Sequence, residues 1–182
     1  MTARFTPPVA DTLTAAQRRV YDATRTGKRG AVPANVQAWL PSPEMADRAQ
    51  HLGAFLRYDT SLPPRLSELA ILVVAHRWTC AYEWATHAGE AARAGIAAEV
   101  IAAIGRGQTP EVGEADARMV VAVAAELAHD GRLTDATFAA ADMALGRVAL
   151  VELVGLIGYY TMVAFTLNAF DVPVPDGAPQ LP

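Results

Sequence analysis

The chain has 182 residues, of which 52% are apolar and only 19% charged, and its net charge is −4. That length suits one domain with a real hydrophobic core, and the composition excludes an intrinsically disordered chain. The weak negative charge offers no nucleic-acid footprint, and a single cysteine, Cys80, excludes an intrachain disulfide framework.

Residues 1–13 read as an extended arm around Pro7-Pro8, without the apolar run of a secretory leader, so a cytoplasmic protein is expected. Thr14-Ala15-Ala16-Gln17 spells a capping box and predicts a helix to about Thr26, stopped by Gly27 and Gly30. Pro33 to Pro41 reads as an irregular link holding Trp39. Ser42 as N-cap and Pro43 at the first helical position start a helix to about Tyr58, with Met45, Leu52, Phe55 and Leu56 expected inward. Leu62-Pro63-Pro64 is the firmest boundary. A mostly apolar helix follows, with Glu68 as the acid near its start, and only Thr79, as an N-cap, separates it from the next. That next helix closes at Gly95 in a C′ position, with Ile96 supplying the hydrophobic contact. Further helices are expected over Ala97 to Ile104, Glu114 to Ala128, a Thr134-capped stretch to Leu145, and Arg147 to Phe170. Pro173 and Pro175 end the last one.

No segment alternates with strand periodicity, so the fold class is all-α, with residues 14–172 as one helical domain and 173–182 as a tail. Val148 to Leu167 approaches membrane-spanning length, but Glu152, two glycines and two tyrosines favour a core or interface helix, and no membrane partner is expected. Low charge with many apolar residues points to surface buried between subunits, hence a homo-oligomer.

One stretch carries chemistry: Cys80-Ala81-Tyr82-Glu83-Trp84-Ala85-Thr86-His87. On a helix, positions 80, 83 and 87 share a face, which puts a thiol, a carboxylate and an imidazole on one stripe. With Thr79 as the cap, Cys80 lies in the first turn, where the helix dipole favours its thiolate. Glu83 and His87, four apart, can share a proton, the carboxylate orienting the ring. Glu68 in an apolar helix needs a partner or a raised pKa. Each feature also has a structural reading: Cys80 as a small core residue, Glu83 and His87 as a solvated helix pair, Glu68 as a first-turn acid, and Tyr82, Trp84 and Trp78 as packing aromatics. Two metal ligands on one helix leave a site underfilled, so neither metal nor cofactor is expected.

Arg65-Leu66-Ser67-Glu68-Leu69, the Cys80–His87 stretch and Ala94-Gly95-Ile96 together resemble the carboxymuconolactone decarboxylase family, which includes alkylhydroperoxidase D; so do Leu150 to Tyr160 and Leu167-Asn168-Ala169-Phe170. The resemblance covers roughly residues 33 to 172 and implies an all-α domain built around a helical hairpin and assembled as a dimer, trimer or hexamer. The peroxidase branch carries a second cysteine where this chain has Glu83, so an internal disulfide cycle is ruled out. The decarboxylase branch carries the glutamate and histidine, matching Glu83 and His87, but lacks the cysteine. This chain therefore resembles a subgroup with CxYEWxxH.

Two activities follow as expectations. The first is a cofactor-free lyase or isomerase acting on a small carboxylated or lactone-like molecule. There His87 is the general acid/base, Glu83 its orienter and a second proton carrier, and Glu68 a neutral or shared-proton acid. Arg65 and Arg77 are the nearest cations for a substrate carboxylate, and Trp78, Tyr82 and Trp84 form apolar walls. The second is a one-cysteine peroxidase, in which Cys80 attacks peroxide and an external thiol resolves the sulfenic acid. A non-catalytic oligomeric helical protein is the third reading.

Overall fold

The capping signals set most helix ends. In the computed structural model, which describes residues 3–182, α1 (Ala15–Thr26) opens on a complete capping box. The Gln17 amide donates to Thr14 Oγ1 at 3.3 Å and the Thr14 amide donates to Gln17 Oε1 at 3.0 Å. After α2 (Ala34–Trp39) come α3 (Pro43–Tyr58), α4 (Pro64–Arg77) and α5 (Ala81–Arg93). The chain continues through α6 (Ala98–Gly105), α7 (Ala115–Asp130), α8 (Asp135–Leu145) and α9 (Arg147–Ala169). Among the described residues there is no strand, so the expected all-helical fold is the observed one.

α4 is the axis of the bundle. It packs against α5, α6, α7 and α9, and every residue from Leu66 to Leu72 is buried. A helix covered on all sides needs no polar face, which explains its nearly unbroken apolar sequence. α9 is long and apolar enough to cross a membrane by length and composition alone, but Leu150, Leu153, Leu156, Val163 and Leu167 form its core-facing stripe. Its Glu152 accepts hydrogen bonds from the Ser61 amide (2.8 Å) and hydroxyl (2.6 Å) in the α3–α4 connection.

Four local expectations differ from the structure. The arm expected to be extended over 1–13, of which residues 1–2 lie outside the described residues, makes a 3-10 turn at Ala10–Thr12. The link over Pro33 to Pro41 contains α2, because Val36 and Trp39 have somewhere to be buried; the Trp39 indole N–H donates to Thr166 Oγ1 of α9 at 2.8 Å. On α3 the inward face is Ala46, Ala49, Gln50, Gly53 and Leu56, whereas Met45, Leu52 and Phe55 are exposed. Small residues let α3 approach α1, α2 and α9 closely, and that turns its bulkier side chains outward. Thr79, finally, is no N-cap: it holds φ +48° at the end of α4, with the Cys80 amide donating to the Ala75 carbonyl and the Thr79 amide to that of His76. This is a Schellman-type stop with threonine where glycine is usual, and it leaves Cys80 as the N-cap residue of α5. The same geometry at Gly95 follows the expectation, with φ +87° and the Ile96 amide donating to the Ala91 carbonyl.

A β-branched residue is strained at positive φ. Thr79→Gly should therefore raise the unfolding free energy by about 1 kcal/mol, measured as a higher urea midpoint at unchanged m-value.

Candidate active site

Five segments converge on one half-open recess of about 290 Å³: the turn after α1 (Arg29), α2 (Asn35), the last turn of α3 (Arg57), α5 (Tyr82, Glu83, His87) and α9 (Tyr159, Tyr160). This is the scale of a small-ligand cavity. A larger cleft of about 390 Å³ lies on another side of α4, but its close imidazole–carboxylate pair, His129 with Asp130, is largely exposed to solvent. The smaller cavity is where buried charge accumulates.

Glu83 and His87 are successive inward positions on α5, only 5% and 2% exposed. The partner of His87 is not Glu83, however. Glu68, projecting from the second turn of the neighbouring α4, places Oε2 2.7 Å from His87 Nδ1. An ionised Glu68 accepts the Nδ1 proton, which fixes the tautomer and leaves Nε2 as the basic nitrogen. The ring is also held edge-on by Tyr160, with centroids 5.1 Å apart and planes at 90°. Arg57 Nη2 lies 4.0 Å from Glu68 and 3.6 Å from Glu90, so its charge is already answered by two carboxylates.

Glu83 is left as the buried acid on the cavity wall. Burial lifts its pKa from an ordinary 4.5 to about 7, and the Glu68 charge adds to the rise while His87, Arg57 and Arg29 oppose it. Cys80 responds to the same environment differently. It is fully buried at the head of α5 and lines none of this cavity. Burial foremost, with the Glu83 charge adding, pushes its thiol to about 12; the backbone amides of Glu83 and Tyr82 offset only part of this.

The remaining sequence candidates lie elsewhere, apart from Tyr82, which lines the cavity half-buried. Arg65 pairs with Asp116 of α7 at 2.5 Å. Arg77 stacks its guanidinium over Trp78 at 4.7 Å and faces the larger cleft. Trp78 donates from its indole N–H to Thr161 Oγ1 at 3.2 Å and packs on Phe165, and Trp84 is a core residue beside Gly105. Nearness in sequence put these cations and rings close to the stripe, but their helix faces point them away from it. The sequence does not single out Arg29, Arg57, Tyr159 and Tyr160 as site residues, nor Asn35 and Glu90, which also line the cavity. The glycines flanking Arg29 and the adjacent tyrosines of α9 were visible signals, but nothing local aims them at α5. No group of three or more His, Cys, Asp or Glu side chains among the described residues has metal-binding geometry.

Comparison with known proteins gives this geometry a setting. Residues 43–126 match the carboxymuconolactone decarboxylase family. The matched segment is just under half of the chain and spans α3 to most of α7, including Glu68, Cys80, Glu83 and His87. No curated protein matches in sequence. The fold is similar to that of an uncharacterized peroxidase-related protein from a Silicibacter species, with a TM-score of 0.75 at 15% identity over 96% of this chain and 92% of that one. It is equally similar to the debrominase Bmp8, with a TM-score of 0.75 at 16% identity over 94% of this chain and 91% of the other. A cysteine-to-alanine variant of Bmp8 in complex with 2,3,4-tribromopyrrole gives a TM-score of 0.75 at 15% identity. These likenesses establish a shared helical fold.

Two outcomes test the electrostatics. The folded pKa of Glu83 lies above its unfolded value, so the native state holds the extra proton between pH about 4.5 and about 7. Stability contributed by the neutral acid should fall across that window with a slope of up to about 1.4 kcal/mol per pH unit; Glu83→Gln should flatten it in urea titrations at several pH values. Glu68→Ala strips His87 Nδ1 of its acceptor and Arg57 of one carboxylate, and should cost about 3 kcal/mol in the same assay.

Proposed function

We propose that the chain is a member of the carboxymuconolactone decarboxylase family and works as a cofactor-free acid/base enzyme on a small carboxylated or lactone-like molecule. The observation that carries this reading is the pairing, on one cavity wall, of a buried acid titrating near neutrality with an imidazole whose far nitrogen is held by a carboxylate. A group whose pKa matches the working pH can both give and take a proton, and such catalysis is worth roughly 10²- to 10⁴-fold.

For a decarboxylation, the bond between the departing carboxylate and its carbon breaks, and the electron pair passes into the conjugated carbonyl as an enolate. Carbon dioxide leaves, and the protonated Glu83 delivers its proton to the carbon. His87 Nε2 relays a replacement proton from water, so one proton is taken up per turnover. Glu68 acts through His87 by fixing its tautomer and orientation. For an isomerisation, the same pair removes a proton at one carbon and returns it at another. Cys80 has no step in this scheme: a thiol with a pKa of about 12, away from the cavity, is a poor nucleophile at neutral pH. The debrominase complexed with a bromopyrrole shares this fold, and a small flat ligand suits a cavity of about 290 Å³.

We also propose a cytoplasmic homo-oligomer that buries the exposed apolar residues Leu52 and Phe55 of α3 and Val151 and Phe165 of α9.

The test is release of carbon dioxide, or isomerisation, with a panel of unsaturated lactone acids. Glu83→Gln should lower kcat by about 10²-fold or more and abolish the pH–rate inflection near 7, while Cys80→Ala should stay within a few-fold of the parent. Peroxide consumption that disappears in Cys80→Ala and survives in Glu83→Gln would instead establish the peroxidase reading.

A further inference from the structure

One wall of the cavity carries polar groups that the acid/base scheme does not use. The Tyr159 hydroxyl is buried, in a residue only 5% exposed, and makes no well-aligned hydrogen bond, although the Arg29 and Asn35 side chains lie close beside it. Beside it, Arg29 Nε and Nη2 are also buried and without partners. Arg29 makes no ion pair within 4.0 Å among the described residues, unlike Arg57, which has two carboxylates near it. Unsatisfied buried donors are costly and uncommon, and three in one place call for a reason.

Gly53 of α3 shows that the placement is built in. A Cβ at this position would come within 2.1 Å of the Tyr159 hydroxyl and 2.6 Å of Arg29 Nη2. Both groups therefore occupy room that only glycine leaves open on this helix face. Burial foremost, with the Glu83 charge adding, raises the Tyr159 pKa against the Arg29 charge and the Arg29 and Asn35 side-chain contacts, so the phenol keeps its proton at neutral pH and has that proton to donate. The wall thus presents a phenolic O–H next to a guanidinium, which together match the donor pattern that recognises a carboxylate.

We propose that Arg29 and the Tyr159 hydroxyl, side by side over Gly53, form a carboxylate-binding subsite that orients an acidic small molecule toward Glu83 and His87. The identity of the guest as a substrate rests on the acid/base reading; its binding does not. The charged groups facing this subsite across the cavity are Glu83, His87 and Arg57, with Glu90 at the rim. A carboxylate seated on Arg29 would give an ion-pair partner to the arginine of this cavity that has no carboxylate within 4.0 Å among the described residues. In exchange, orphan donors that weaken the empty fold become the source of affinity.

Calorimetric titration of benzoate against its neutral isostere benzamide tests the subsite without requiring turnover. The parent should bind benzoate at least about tenfold more tightly, the scale of a charge-assisted hydrogen bond. Arg29→Met should erase the preference and Glu83→Gln should keep it. Tyr159→Phe separates a ligand-binding role from a structural one. Deleting an unpaired buried hydroxyl should leave the thermal midpoint equal or higher while benzoate affinity falls about tenfold. Gly53→Ala, which displaces both groups, should lose the preference as well. Equal affinity for acid and amide, no benzoate binding at millimolar concentration, or a preference that survives Arg29→Met overturns the proposal. A preserved preference in a protein inert toward every lactone acid sinks the acid/base reading alone.

Discussion

Ionisable groups from three helices meet in the interior of this bundle, and burying them constrains everything nearby. Glu68 on α4 must find a partner because an isolated buried carboxylate is costly, and it finds two: the His87 ring of α5 at 2.7 Å and the Arg57 guanidinium of α3 at 4.0 Å. The short His87–Glu68 bond fixes the mutual rotation of α4 and α5 more tightly than alanine-rich packing could, since small apolar side chains tolerate rotation and sliding whereas a short hydrogen bond does not. The Schellman turn at Thr79 serves the same end. It reverses the chain directly after α4, so that the first inward turn of α5 faces the α4 acid.

Desolvation then has opposite consequences for neighbouring groups. It moves the carboxyl of Glu83 toward neutrality, where both protonation states are populated, and it moves the thiol of Cys80 away from neutrality, where the thiolate all but disappears. One environment produces an acid titrating near neutrality and a thiol held in its protonated form within a single helical turn. Proximity of a cysteine to an acid and a histidine along the chain is therefore a poor guide to its ionisation; burial foremost, with the charge of the next carboxylate adding, sets it.

Helix positions were largely legible in the sequence. The capping box at Thr14, the Thr134 cap, the Gly95 stop and the Pro63-Pro64 boundary all act locally, and each appears where its residues are. Helix faces were less so. Met45, Leu52 and Phe55 have the hydrophobicity of core residues and yet are exposed, because α3 meets its neighbours through Ala46, Ala49 and Gly53. The site shows the same division. Glu68, Glu83 and His87 stand out in the sequence as chemistry-bearing residues, but local spacing offers His87 a partner on its own helix, whereas the structure gives it one on α4.

By itself, then, the sequence determined the all-helical class, most helix ends and the window that holds the acid and the imidazole, because caps, breakers and periodicity operate over a few residues. Tertiary structure alone decided which carboxylate holds the ring and which stays a free acid, and it brought Arg29, Arg57, Tyr159 and Tyr160 to the same wall from segments as many as 131 residues apart (positions 29 and 160). Pairing and desolvation depend on what the rest of the chain lays over a side chain, and no local pattern encodes that.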